Sequence, residues 1–382
     1  MSMKRILITG GAGFIGSHTA DALLCAGYSV RILDILDPQI HGRRRQFPSI
    51  LDPRIERMRG DVRCPRDLTK ALENVDVVYH LAAFTGVGQS MYEISNYVDN
   101  NVGGTAALLQ VLAHSKHRIQ RLILASSRAI YGEGNARCSK HGVVSPLQRE
   151  RGALENGDFN AKCPRCCKTV EPIPTPEGKP ANPGSIYAVT KKHQEDLCIQ
   201  ACSAYGLSLV ILRYFNVYGS RQALQNPYTG VITVFFNRLR DGSPISLYED
   251  GIPTRDFVHV SDVVQANIAA LNPQLSSGSI FNIGNGIPVT IRELAQALGE
   301  VMGCSPNLES KGEFRLGDIL SCTSDLNQSH RILGYSPKIS LRKGLAEFLE
   351  WAKRRRVVHG SSYEQTVREL KQHGLFGHAL SS

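Results

Sequence analysis

The chain has 382 residues, 42% hydrophobic and 20% charged, with a formal net charge of +10. That length can bury a large core and that balance is ordinary for a globular protein, which excludes a disordered or fibrous chain. No apolar run is long enough to cross a bilayer, the start MSMKR lacks a signal peptide's apolar stretch, and the basic runs at 43–45 and 353–356 carry no interleaved aromatics, so the expectation is a cytoplasmic protein with neither membrane nor nucleic acid as partner.

From residue 4 the sequence KRILITGGAGFIGSHTADALLCAG reads as a short apolar strand, a turn with Gly10, Gly13 and Gly16 spaced GxxGxxG, and an amphipathic helix ending at Gly27. Such a turn gathers backbone N–H groups and the positive end of a helix dipole at one point, and the missing Cβ atoms let a pyrophosphate approach. The same spacing arises from plain helix packing; the flanking strand and helix favour a dinucleotide. The run at 28–34, YSVRILD, reads as a second strand ending on Asp34, where a carboxylate meets an adenosine ribose 2′-hydroxyl and repels a 2′-phosphate. That favours NAD over NADP.

The polar stretch after Asp34 is loop or short helix, and RIERMRGDV reads as a third strand reaching Asp61. VDVVYHLAA at 75–83 is a fourth, nearly all apolar, as a strand covered on both faces should be. A helix carrying YVDNNVGGTAALLQVLAHS follows, then RLILASS at 121–127 as the fifth strand. Strands alternating with helices predict an α/β fold, a Rossmann-type doubly wound parallel sheet, with Asp34, Asp61, Ala83 and Ser127 bordering one crevice at the strand ends.

Sixty positions separate Ser127 from Tyr187, spanned by a segment rich in Gly, Pro and charge. Loops of that size without structure are uncommon unless something staples them. The segment holds Cys138-x-x-His141 and Cys163-x-x-Cys166, four soft donors in the number and spacing of a structural zinc site, with Cys167 as a substitute ligand; a disulfide and free thiols are the competing readings. The other six cysteines read as reduced thiols. Pro183 and Gly184 then break the chain, and Ser185 caps a helix that sets Tyr187 and Lys191 on one face. A nearby ammonium favours the phenolate, making Tyr187 a general base or acid, and Ser127 can donate to the same substrate oxygen.

TGGAGFIG, the DV at Asp61, HLAA, NNVGGT, SSxxxYG and YxxxK, in this order, resemble the extended short-chain dehydrogenase/reductase family and within it the nucleotide-sugar epimerases and dehydratases, over residues 4–355. The resemblance implies a catalytic triad of Ser127, Tyr187 and Lys191. It implies NAD contacts from Gly10, Gly13, Phe14, Ile15, Gly16, Asp34, Asp61, Val62, Leu81, Ala82, Ala83, Asn101, Tyr187, Lys191 and Tyr214. It further implies a nucleotide-diphosphate sugar held by Ser127, Asn216, Val231, Arg255, Arg315 and Asp318, and a homodimer. Guanidinium forks suit phosphate oxygens, which agrees for Arg255 and Arg315.

Dehydratases of this family follow the catalytic Ser/Thr with an acid pair; here Arg128 and Ala129 follow Ser127, so epimerisation is expected. The segment before Tyr187, with its PxPTPE, resembles a small branch that epimerises dTDP-L-rhamnose at C4 to dTDP-6-deoxy-L-talose. A UDP-glucose or UDP-N-acetylglucosamine 4-epimerase, a nucleotide-sugar dehydrogenase or reductase, and a non-catalytic NAD sensor are the alternatives. Cys322 falls where such epimerases carry a residue gating sugar size. The expected organisation is an NAD-binding domain at 1–218 with a zinc-ribbon-like insertion at 132–183, and a substrate lobe at 219–382 from which 256–284 returns to the first domain. ITVFFNRLRDG, TIRELAQALGEVMG, LRKGLAEFLEWAKRRR and a patch near 363–372 read as helices, SGSIFNIG as a returning strand, all clamping the nucleotide end of the substrate.

Overall fold

The computed structural model describes residues 4–115, 117–226, 228, 230–355 and 362–380; residues 1–3 of the MSMKR start and Arg356 of the second basic run lie outside the described residues. Seven parallel strands form the central sheet: β1 (Arg5–Thr9), β2 (Ser29–Asp34), β3 (Glu56–Arg59), β4 (Val77–His80), β5 (Arg121–Ser127), β6 (Ser208–Tyr214) and β7 (Ser279–Ile283), in the order β7-β6-β5-β4-β1-β2-β3. The order reverses beside β1, and such a switch point opens a crevice at the strands' carboxyl ends. Register places the predicted residues around it, pairing Ser127 with Tyr214 and Thr9 with His80.

Both faces of the sheet are covered, because alternate side chains of the same apolar strand serve opposite layers. Ile6 and Ile8 pack with Ala20 and Leu23 of helix α1 (Phe14–Cys25) and with Val263 and Ala266 of a later helix, while Leu7 packs with Leu108 of α2 (Gly104–His114) and Cys198 of α3 (Ile186–Tyr205). His80 is buried between the hydroxyls of Thr9 (2.8 Å) and Thr105 (2.9 Å), and burial pushes its pKa down to about 3. It is a neutral core histidine.

Several boundaries differ from the sequence reading. β3 stops at Arg59 and β4 at His80, so Asp61 and Leu81 to Ala83 sit on loops over the crevice, not on strands. The helix expected after β4 is interrupted by a π-turn, Val98–Gly103, ahead of α2. SGSIFNIG is β7, an edge strand of the central sheet beside β6, and lies within the 256–284 stretch expected to return to the first domain. The outer lobe has its own core, in which Phe235 and Phe236 of α4 (Val231–Arg240), Leu294 and Leu298 of α6 (Ile291–Met302) and Phe348 of α7 (Leu341–Lys353) meet; α5 (Val260–Ala269) packs instead against α1. Thr290 and Glu293 form a capping box that starts α6, and Gly303 ends it at φ +73°.

The segment at 132–183 is structured. Ala136–Cys138 pairs antiparallel with Gly142–Val144 and with Glu171–Pro172, around a small core of Ala136, Val144, Ala161 and Val170. It is tied to the lobe through Arg149, whose buried guanidinium pairs with Glu133 (3.2 Å) and Glu249 and donates to the Asp318 carbonyl at 2.8 Å. At the end of the chain α8 (Ser362–Gln372) leads to Phe376–His378, which pairs antiparallel with Glu313–Arg315.

Candidate active site

A cavity of about 610 Å³ lies at the carboxyl ends of the strands, and the glycine turn forms one end of it. Gly10 sits at φ +69°, where a Cβ would come within 2.9 Å of the Ala82 backbone; on Gly16 a Cβ would lie 2.4 Å from the Gly10 carbonyl oxygen. Only glycine permits these approaches. Helix α1 begins at Gly13 with no side-chain cap, so its first-turn N–H groups, with Phe14, Ile15 and Gly16 lining the cavity, suit a pyrophosphate. Asp34 accepts from the N–H of Ala12 at 3.0 Å and of Leu36 at 2.8 Å. Its carboxylate therefore braces the glycine turn as well as lining the cavity. Asp61, bound to Arg63 at 2.6 Å, lines the same half with Val62, Leu81, Ala82 and Ala83.

Asn101 stands apart from that group. It is fully buried outside the lining, accepting from the Phe84 N–H (2.8 Å) and donating to the Phe84 carbonyl (3.1 Å) and Thr190 (3.0 Å). The π-turn changes the helical phase here, and Asn100 borders the cavity instead. Asn101 ties the loop after β4 to α3.

Ser127 ends β5, and Ser185 caps α3 through the N–H of Ala188 at 3.2 Å, which directs the first turn of α3 at the strand end. Ser127 and Tyr187 both line the cavity, and the serine hydroxyl is close enough to lower the tyrosine's pKa. Lys191, one turn on, donates to the Ala125 carbonyl at 3.0 Å. Beneath them Ser126 donates to Glu195 at 2.5 Å, and Arg213 clasps Glu195 with bonds of 2.9 and 2.8 Å. This buried network fixes β5, α3 and β6 together. The charges differ from the sequence reading: burial raises the Tyr187 pKa, while the nearby Ser127 hydroxyl and the guanidinium of Arg128 pull it down. The Lys191 ammonium is committed to the strand carbonyl; burial lowers its own pKa to about 8 against the pull of Glu195.

In the other half, Tyr214, Asn216, Val231, Arg255, Arg315 and Asp318 all line the cavity. Asn216 has its Oδ1 buried with no partner among the described residues, ready for a ligand donor. Among the described residues Arg255 is bonded only to the Thr254 carbonyl, at 2.8 Å, and burial lowers its pKa to about 10. Burial alone would raise the Asp318 carboxyl, but the guanidiniums of Arg315, at 2.7 Å, and Arg255 hold it below the usual carboxylate range. Cys322 is buried behind the wall against Thr175, not in the lining, so it does not gate the cavity as expected.

Sequence reasoning missed several lining residues: Arg128, Tyr228, Ser246, Tyr248 and, on α8, Tyr363 and Leu370. The position of Arg128 directly after Ser127 was a signal; the others reach the cavity through tertiary packing alone. Helix α8 crosses between the lobes, with Tyr363 bonded to Tyr248 at 2.8 Å at one end. At the other, Glu369 accepts from Tyr92 at 2.9 Å and from Tyr228 at 2.5 Å, and the His373 ring stacks on Tyr92 at 4.6 Å.

Away from the cavity, Cys138, His141, Cys163 and Cys166 bring their donor atoms within 4.8 Å of one another. Cys138 Sγ lies 3.7 Å from both His141 Nδ1 and Cys166 Sγ, and Cys163 Sγ 3.4 Å from the same nitrogen. A tetrahedron with metal–sulfur and metal–nitrogen bonds of about 2.3 and 2.1 Å has edges of about 3.6–3.8 Å, close to these three separations, and three thiols with one imidazole are a donor set that suits zinc. Burial raises the Cys163 thiol, but the N–H groups of Arg165 and Cys166 and the side chains of His141 and Cys138 bring it down to about 6. Cys167 is exposed at φ +57°, outside the donor set. The structure does not bring it to the other four donors.

A family model described as "NAD dependent epimerase/dehydratase family" matches residues 6–150 and 167–284. The dTDP-L-rhamnose 4-epimerase of Burkholderia thailandensis is 35% identical over 354 residues, covering 91% of this chain and 94% of that protein. The crystal structure of the Thermotoga maritima UDP-glucose 4-epimerase with UDP-glucose superposes with a TM-score of 0.73 at 29% identity, covering 92% of this chain and 99% of that one. The Bacillus cereus UDP-glucuronic acid 4-epimerase in complex with UDP-glucuronic acid and NAD gives 0.73 at 28%, with the same coverage. No described helix is long and apolar enough to cross a membrane. With its switch-point cavity, glycine turn and Ser127 and Tyr187 in one lining, the chain belongs to the NAD-dependent epimerase/dehydratase family of the extended short-chain dehydrogenases.

Proposed function

We propose that the chain is a nucleotide-sugar 4-epimerase that uses bound NAD and interconverts dTDP-L-rhamnose and dTDP-6-deoxy-L-talose. The observation that carries the reaction type is the state of the carboxylates on the substrate side of the cavity: Glu249 is paired with Arg149 and Asp318 with Arg315. Among the described residues no free acid adjoins Ser127 to remove a C5 proton and expel a hydroxyl, as dehydration requires. The sugar and base are supported by the Burkholderia relative and by the cysteine-bearing segment; residues 151–166 of that segment fall outside the family match.

The residues present fit NAD, with Gly10, Gly13 and Gly16 at the pyrophosphate and Asp34 at the adenosine ribose. Bound NAD supplies the acceptor and donor of the C4 hydride. Tyr187 takes the proton of the 4-hydroxyl, and Ser127 holds the oxygen as it becomes a carbonyl. Lys191 keeps positive charge under the site while held to Ala125. Arg255 and Arg315 grip the diphosphate as the 4-ketose turns. Tyr187 then returns its proton to the 4-oxygen once the ketose has turned the other face of C4 towards the cofactor site.

Zinc at Cys138, His141, Cys163 and Cys166 is structural in this reading, a closed site with four protein ligands. Substrate deuterated at C4 and equilibrated in ordinary water should keep its label while C4 inverts, followed by NMR on a panel of nucleotide sugars. Loss of label, inversion of UDP-hexoses only, or a 4-keto product with reduced cofactor overturns the assignment. Light scattering decides the homodimer that the resemblance implies.

A further inference from the structure

The cations of the substrate half do not balance its acids. Arg149 is neutralised by Glu133 and Glu249, and Arg315 by Asp318. Two guanidiniums remain: Arg255, bonded only to a backbone carbonyl, and Arg128, which makes no hydrogen bond or ion pair among the described residues. Arg128 is half-buried and lines the cavity directly after Ser127. Its charge is felt at the Tyr187 hydroxyl, at Arg255 and at Cys322, and it shares the cavity lining with Tyr187 and Arg255. A partly desolvated guanidinium without a partner is unfavourable unless a ligand supplies the counter-charge. A sugar diphosphate supplies phosphate oxygens that both unpaired guanidiniums could take.

We propose that Arg128 is a substrate-binding residue that takes the phosphate adjoining the sugar and joins Arg255 and Arg315 on the diphosphate. The proposal rests on the nucleotide-sugar reading above. It assigns Arg128 to the phosphate rather than to the sugar because inversion at C4 requires the ketose to turn over. A fork of hydrogen bonds to ring hydroxyls would resist that turn, whereas a fork on the phosphate holds the pivot and leaves the ring free. The planar guanidinium suits two phosphate oxygens at once, which a lysine ammonium does not.

The test compares dTMP, dTDP and dTDP-L-rhamnose by calorimetry on the NAD-loaded wild type, R128M and R128K. R128M should bind dTDP and dTDP-L-rhamnose about 10- to 100-fold more weakly, the loss of a charge-assisted hydrogen-bonded pair. Its affinity for dTMP, which lacks the second phosphate, should stay within about twofold, with R128K intermediate for dTDP. Retention of NAD by purified R128M verifies the fold independently. Equal losses for dTMP and dTDP would place the guanidinium at the other phosphate, and weakened binding of the sugar nucleotide with unchanged dTDP would place it on the sugar; either overturns the proposal. Wild type that binds dTDP while R128M binds it equally well overturns the proposal alone. Wild type that binds no nucleoside diphosphate overturns the nucleotide-sugar reading and the proposal with it.

Discussion

The ammonium of Lys191 donates to the carbonyl of Ala125, two residues before Ser127 on the same strand, at 3.0 Å. The lysine therefore locks α3 to β5 as well as placing charge below Tyr187. Tyr187→Phe deletes one hydroxyl and should cut turnover by about 10²- to 10⁴-fold with an unchanged melting temperature. Lys191→Met should lower both turnover and the melting midpoint's pH sensitivity. The Lys191 pKa is depressed to about 8. Below pH 8 the charge is buried in full and its desolvation opposes folding; as pH rises from 8 towards the unfolded value near 10.4, the folded state sheds its proton first and that opposition is relieved. The wild type should thus gain stability relative to Lys191→Met across that window, read by thermal melts at stepped pH. A constant difference would contradict the lysine's buried titration.

Asp34→Ala should relax discrimination against NADP and also weaken the glycine turn, because two backbone N–H groups lose their acceptor. A buried donor left unsatisfied costs about 1–3 kcal/mol. Asp34→Asn, which keeps one acceptor oxygen, should lose less stability than Asp34→Ala while still admitting NADP. Wild-type protein that binds NADP more tightly than NAD would refute the role given to this carboxylate.

Elemental analysis should find about one zinc per chain, and Cys163→Ser should release it and lower the melting temperature, with turnover affected only through loosened packing. Cys167 sits where the turn after Cys166 needs a left-handed residue. Cys167→Gly should therefore keep the zinc and raise the urea midpoint by the equivalent of about 0.5–1 kcal/mol. Zinc lost from that variant would put Cys167 among the ligands.

Glu369→Gln tests the tie between α8 and the loops carrying Tyr92 and Tyr228. The Tyr228 hydroxyl holds the Glu369 carboxyl below its usual pKa, so the tie is strongest above the ordinary glutamate range and is lost as pH falls through the lowered value. The variant should raise the KM for nucleotide sugar several-fold with NAD affinity unchanged. Unchanged KM would leave α8 without a part in substrate retention.

The glycine turn, the strand alternation and the Tyr187–Lys191 spacing were legible because each is local: a few consecutive residues decide the backbone or share one helix face. The two Cys-rich pairs were legible for the same reason, and the structure brings all four donors together. Less legible was anything set by helical phase or distant packing. The π-turn moved Asn101 from the cavity into the core although its neighbours suggested a continuous helix. Leu370 reaches the cavity from the far end of the chain, and nothing in its own surroundings marks it. The acidity of Tyr187 depends on where Lys191 points, which its spacing on the helix does not decide.

The position of β7 bears on how the protein is made. Strand β6 is complete at Tyr214, yet its outer neighbour ends only at Ile283, after α4, α5 and much of the outer lobe's first half. At synthesis rates of about 5–20 residues per second, β6 emerges with an open, apolar edge for roughly 3–14 s before its partner exists. An unpaired edge of buried strand character is a template for pairing with another nascent chain. Slower translation or a weakened β7 should therefore appear first as aggregation during expression, in protein whose finished fold is sound.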